Sequence, residues 1–81
     1  MANTRAFLLI ETQVGKTKDV VAGLSGIDEV VSVDVVTGPY DVIATIEAPD
    51  LSSIGDVVTS RVHGIGGIGR TVTCLAVGDG A

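Results

Sequence analysis

The chain has 81 residues, 46% of them hydrophobic, with a mean hydropathy of +0.54, too small and too apolar to hide its surface alone, since a domain of this size buries only about 60–65% of it. One cysteine and one histidine exclude an internal disulfide and a self-contained zinc site, so association with another chain is the remaining source of stability. A net charge of −5 with five scattered Lys and Arg argues against direct nucleic-acid binding; apolar runs of five residues or fewer cannot span a membrane or form a signal core, so the expected location is the cytoplasm.

Residues 6–12 are apolar on both alternating faces, as in a strand covered on both sides. From Lys16 the period changes: Val20, Val21 and Leu24, with Thr17 one turn earlier, mark a short amphipathic helix ending near Gly26. Gly23 inside it costs about 1 kcal/mol relative to Ala, which suggests a close approach to the sheet or simple tolerance. Residues 29–37 form a second strand with Val31, Val33 and Val35 on one face and Ser32 and Asp34 on the other, wetter one. Residues 41–48 form a third, with Val42, Ala44 and Ile46 opposed to Asp41, Ile43, Thr45 and Glu47. A connection of about three residues makes these strands antiparallel neighbours.

That connection, Thr37-Gly38-Pro39-Tyr40-Asp41, holds the only tyrosine. Gly38 can adopt a positive φ and leave backbone N–H groups open as a nest for a carboxylate. Asp41 can accept from an ammonium group, and Tyr40 offers a ring wall and a hydroxyl. The set matches the two charged ends of a free α-amino acid. The plain alternative is a tight turn in which Asp41 bonds locally and Tyr40 packs on the sheet edge.

Pro49-Asp50 opens a second helix, the aspartate serving as N-cap, with Leu51, Ile54, Val58, Val62 and Ile65 as its buried stripe. Gly64 to Gly69 stop it. Residues 70–77 form the last strand, with Thr71, Thr73, Leu75 and Val77 on one face and Val72, Cys74 and Ala76 on the other; residues 78–81 are a polar tail. The order β-α-β-β-α-β predicts an α+β ferredoxin-like fold: a four-stranded antiparallel sheet with two helices on one face. Three strands carry apolar or small residues on both faces, so the open sheet face should pair with a second copy.

Other motifs fail on context. Gly64-Ile65-Gly66-Gly67-Ile68-Gly69 fits the dinucleotide fingerprint but follows a helix and opens a strand, the reverse of what phosphate binding requires. Gly15-Lys16-Thr17 resembles the end of a phosphate-binding loop, but Ile10 stands where its first glycine belongs. Cys74 reads as a buried small side chain and His63 as a residue at the negative end of a helix. Glu11, Asp34 and Glu47 are candidate cross-strand neighbours, solvated rather than catalytic. No catalytic or metal-ligating set emerges, no cofactor is called for, and the chain is expected not to be an enzyme.

The element order, residues 36–44 (Val-Thr-Gly-Pro-Tyr-Asp-Val-Ile-Ala) and residues 70–77 (Arg-Thr-Val-Thr-Cys-Leu-Ala-Val) together resemble the effector-binding (RAM) domain of the Lrp/AsnC transcriptional regulators, over about residues 6–77. In that family the domain follows a helix-turn-helix domain; residues 1–81 contain none, so the chain resembles a stand-alone version. The resemblance implies sheet-paired dimers, higher oligomers and amino acids bound between dimers. It also implies that Gly38, Tyr40 and Asp41 hold the ligand's charged ends and that Thr71 and Thr73 complete the pocket from a neighbouring subunit. Any regulatory role would then run through a partner, including full-length relatives. A ligand-free subunit that co-assembles with such regulators is the alternative.

Overall fold

The structure, a computed structural model, describes residues 3–78; the expected tail beyond Gly78 lies outside them. The strands are β1 (Thr4–Thr12), β2 (Val30–Val35), β3 (Val42–Ala48) and β4 (Ile68–Leu75), and the helices α1 (Thr17–Ser25) and α2 (Leu51–Val57), the latter continued by a π-helical turn over Val58–Val62. They form one antiparallel sheet in the order β2-β3-β1-β4, the predicted ferredoxin-like topology.

Alternation on the two central strands decides which face is covered. Ala6, Leu8 and Ile10 of β1 stand opposite Ile46, Ala44 and Val42 of β3, and all six are fully buried. Val20 and Leu24 of α1 and Ile54, Val57 and Val62 from α2 and its extension close the core over them. The helices lie against β2, β3 and β1. On the edge strand β4, Thr73 is exposed and Leu75 is 42% exposed, although both stand in the same row as Leu8 and Ala6.

Two apolar patterns shift from the simple periods. In β2 a bulge leaves Val31 out of the register between Val30↔Ile46 and Ser32↔Thr45, so Val30 takes the core-facing place expected for Val31, which is 54% exposed. In the second helix His63 N–H donates to Val58 O, five residues back, at 3.0 Å. This wider turn lets Val62 follow Val57 in the buried stripe, which runs Ile54, Val57 and Val62; Leu51, at the first residue of α2, is 59% exposed, contrary to expectation. The start of α2 is as expected: Asp50 Oδ1 accepts from Ser53 N–H at 2.8 Å, and that bond holds the Asp50 carboxyl below its ordinary range.

Glycines set the spacing between α1 and the loop before β4. A Cβ on Gly23 would meet Ile65 Cγ2 at 3.0 Å, so the close approach is to this loop, not to the sheet. Gly67 has φ +97°, and a Cβ there would lie 2.7 Å from Lys16 Cβ. Gly66, next to it, has open space around its Cβ position. We therefore expect Gly67→Ala to destabilise the domain by at least about 1–2 kcal/mol in urea unfolding, from the left-handed backbone and the clash together, while Gly66→Ala is close to neutral.

Candidate functional site

Residues 36–41 join β2 to β3, about three residues more than the expected connection, because β2 ends at Val35 and β3 begins at Val42; Val36 N–H donates to Asp41 O at 2.9 Å and closes residues 37–40 into a loop. Gly38 takes φ +134° with nothing within 4 Å of a built Cβ, a backbone conformation that favours glycine. Thr37, Gly38 and Pro39 are exposed and Tyr40 is half-buried. Among the described residues, the amides of Thr37, Gly38 and Tyr40 donate to no backbone or side-chain acceptor. Three free donors on one short, proline-stiffened loop suit an anionic group.

Asp41 is anchored to the sheet rather than to its own loop. Its N–H donates to Ile10 O at 2.9 Å, and its Oδ2 accepts from the Thr12 N–H at 2.8 Å and the Thr12 hydroxyl at 3.2 Å. Thr12 Oγ1 in turn lies 2.9 Å from Thr17 Oγ1, at the first residue of α1. Oδ1 of Asp41 accepts no bond from the described residues. The local turn envisaged as the plain alternative is replaced by a long-range contact between residues 29 apart. Sequence reasoning missed Thr12 and assigned Thr17 to a buried stripe; nothing in their spacing points to Asp41, because only the β1–β3 pairing brings them together.

The last strand stands apart from this loop within one chain. Thr71 pairs with Ile10 and Thr73 with Leu8, so β1 separates both from β3, a distance of about 10 Å. Thr71 is half-buried and Thr73 exposed. Gly38, Tyr40 and Asp41 are brought together; Thr71 and Thr73 do not join them in the single chain. A cleft of about 440 Å³ among the described residues lies between α1 and the loop before β4, lined by Lys16, Asp19, Gly23, Ile65, Gly66 and Gly67. Gly64 to Gly67 form the helix stop and turn that the context implied, whereas Ile68 and Gly69 already belong to β4, which begins two residues before the expected start at residue 70.

The open face of the sheet has an apolar centre and a charged rim. Phe7 stands between Thr45 and Cys74, and Leu9 between Ile43 and Val72. Arg5 is opposite Glu47 and reaches over the Phe7 ring at 5.6 Å. At the other end Arg70 Nε lies 3.4 Å from Glu11 Oε2. The three carboxylates expected as neighbours are thus dispersed: Glu11 faces Arg70, Glu47 faces Arg5 and Asp34 faces Ile43. Cys74 is exposed in the single chain, contrary to the buried position expected, because the helices cover the opposite face. Among the described residues no cluster of three His, Cys, Asp or Glu is placed to hold a metal, and no helix is long and apolar enough to cross a membrane.

Comparison with known proteins decides the family. The model of the Lrp/AsnC ligand binding domain matches residues 5–78. The chain belongs to the Lrp/AsnC ligand-binding domain family. An uncharacterized HTH-type transcriptional regulator from Pyrococcus furiosus is 32% identical over 76 residues, covering 90% of this chain and 51% of that protein. The chain thus spans about half the length of that relative. A crystal structure of a protein from Thermus thermophilus is 32% identical with a TM-score of 0.89 and covers 94% of this chain and 95% of that one. A transcriptional regulator from Neisseria meningitidis, solved as an L-Met complex, shares the fold at 18% identity and a TM-score of 0.86, over 96% of this chain and 52% of that one.

Within this Lrp/AsnC domain, alanine at position 41 removes a structural acceptor. We expect Asp41→Ala to lower stability by about 1–3 kcal/mol in denaturant titration, because the half-buried Thr12 N–H loses its partner. Asp41→Asn, which retains an acceptor oxygen, should lose markedly less.

Proposed function

We propose that the chain is a non-catalytic, oligomeric amino-acid-binding regulatory module of the cytoplasm, with the ligand held between dimers by the loop around Gly38, Tyr40 and Asp41. The observation that carries this is the loop itself: three free N–H donors beside a carboxylate whose Oδ1 is unengaged. The donors suit an α-carboxylate and Oδ1 suits an α-ammonium group, complementary to both ends of a free amino acid. The L-Met complex of a regulator with this fold agrees with such an effector. Thr71 and Thr73, remote from the loop in their own chain, fit the role of residues contributed by a neighbouring subunit.

Pairing through the open sheet face supplies the association that the small core calls for. Phe7, Leu9, Ile43 and Val72 would be buried against a second copy, a two-sheet sandwich. Each end of the rim carries both signs of charge, Arg5 with Glu47 and Arg70 with Glu11, so a two-fold partner meets complementary charge at either end. Full-length Lrp/AsnC regulators that display the same face are further partners; neither nucleic acid nor membrane is a direct one. The second reading, a ligand-free subunit that co-assembles with such regulators, draws on that shared face alone.

Thermal unfolding in the presence of each of the twenty amino acids separates the two. A ligand at 100 times its Kd adds about 2.7 kcal/mol of stability, and at least one amino acid should raise the melting temperature. If none does so at millimolar concentration, the ligand-free reading stands. For the dimer, light scattering should report at least two copies at micromolar concentration, with Cys74 protected from a bulky maleimide. Leu9→Glu should yield a monomer whose Cys74 reacts freely; a wild-type monomer with reactive Cys74 would refute sheet pairing.

A further inference from the structure

Three segments meet at the end of the sheet that carries the effector loop: residues 37–41, the turn from β1 to α1, and the glycine loop before β4. Gln13 N–H donates to Gly67 O at 2.7 Å and Lys16 N–H to Gln13 O at 3.0 Å, fixing the turn that separates Thr12 from Thr17. The two threonine hydroxyls are then 2.9 Å apart, with Thr12 Oγ1 3.2 Å from Asp41 Oδ2. A carboxylate oxygen can only accept, so the single Thr12 hydroxyl proton goes to Asp41, and the Thr17 hydroxyl must donate to Thr12. The direction of the chain is fixed as Thr17 to Thr12 to Asp41.

We propose that Thr12 and Thr17 are positioning residues for the effector loop: their hydroxyls and the Thr12 N–H occupy Oδ2 of Asp41, so that the carboxylate presents only Oδ1 to the ammonium group of an amino acid. The proposal rests on the amino-acid-binding function above. A carboxylate without such partners turns about its last bond and offers either oxygen in a range of directions, so a ligand must order it on binding. Here the ordering is already present. The backbone of Asp41 is held on both sides, by Ile10 O and Val36 N–H, and the Thr12 N–H and hydroxyl hold its side chain. Residues 37–40 therefore hang between fixed points, and the site is organised before the ligand arrives. Neither threonine touches the ligand in this arrangement; both act through Asp41.

The test combines amide hydrogen exchange in the ligand-free protein with calorimetry, using whichever of the twenty amino acids raises the wild-type melting temperature. Thr12→Val conserves volume and strand propensity but removes the hydroxyl. It should speed exchange at the Val36 and Asp41 amides and weaken amino-acid binding, each by about tenfold, while Leu8 and Ala44 exchange at the wild-type rate. Thr12→Ser should restore both. Thr17→Val, which leaves the Asp41 contacts untouched, should move both readouts in the same direction by less, and it serves as the probe if Thr12→Val fails to fold. Asp41→Asn should keep slow exchange, since its amide oxygen can still accept from Thr12, yet abolish binding by turning an NH2 donor toward the ammonium group. Wild-type exchange at Val36 and Asp41 in Thr12→Val overturns the positioning role whatever the ligand data show. Undiminished binding by Asp41→Asn overturns instead the amino-acid site, and the role of Oδ1 with it, while the exchange rates still decide whether the threonines order the loop.

Discussion

The burial of one face of two adjacent strands is the constraint on which the rest of the molecule depends. Ala6, Leu8 and Ile10 on β1 and Val42, Ala44 and Ile46 on β3 are fully buried, and both helices are spent covering them. Because side chains alternate along a strand, committing these six to the helices commits Phe7, Leu9, Ile43 and Thr45 to the opposite side. Two short helices cannot cover both faces of a sheet. An apolar face open in the single chain is therefore a direct consequence of how the core is filled, and the exposure of Cys74 on that face has the same cause.

The same arrangement places the loop of residues 37–41. Antiparallel pairing of β1 with both β3 and β4 brings the end of β1, the start of β3 and the start of β4 to one edge of the molecule. Turns rather than regular structure occupy that edge, and the donors of residues 37–40 are unspent there. Asp41 joins the loop to the sheet: its backbone and Oδ2 belong to the fold, and Oδ1 accepts no bond from the described residues. A residue shared in this way cannot be truncated without disturbing the sheet end as well as any ligand.

Departures from simple periodicity follow one rule: where local repeat and tertiary packing disagreed, packing prevailed through a local irregularity. The bulge at Val31 resets β2 so that Val30 and Val33 both reach the core, and the π-helical turn does the same for Val62 at the end of the second helix. Neither irregularity has a local sequence signature. Val30 and Val31 are chemically identical, and no proline or glycine lies within Val58–Val62 to announce the wider turn.

By itself the sequence determined the element order, the antiparallel pairing of the second and third strands, the helix start at Asp50, the glycine stop after the second helix and the loop with the left-handed Gly38. These features rest on hydrophobic period and on the backbone preferences of Gly, Pro and Asp, which act over a few residues and are legible locally. Tertiary structure alone decided that Val31 and Leu51 face outward, that Cys74 lies open, that Thr71 and Thr73 stand across β1 from the loop of residues 37–41, and that Thr12, itself bonded to Thr17, holds Asp41. Each depends on which strand lies beside which and in what register, a long-range choice made by burying one continuous core that no window of neighbouring residues contains.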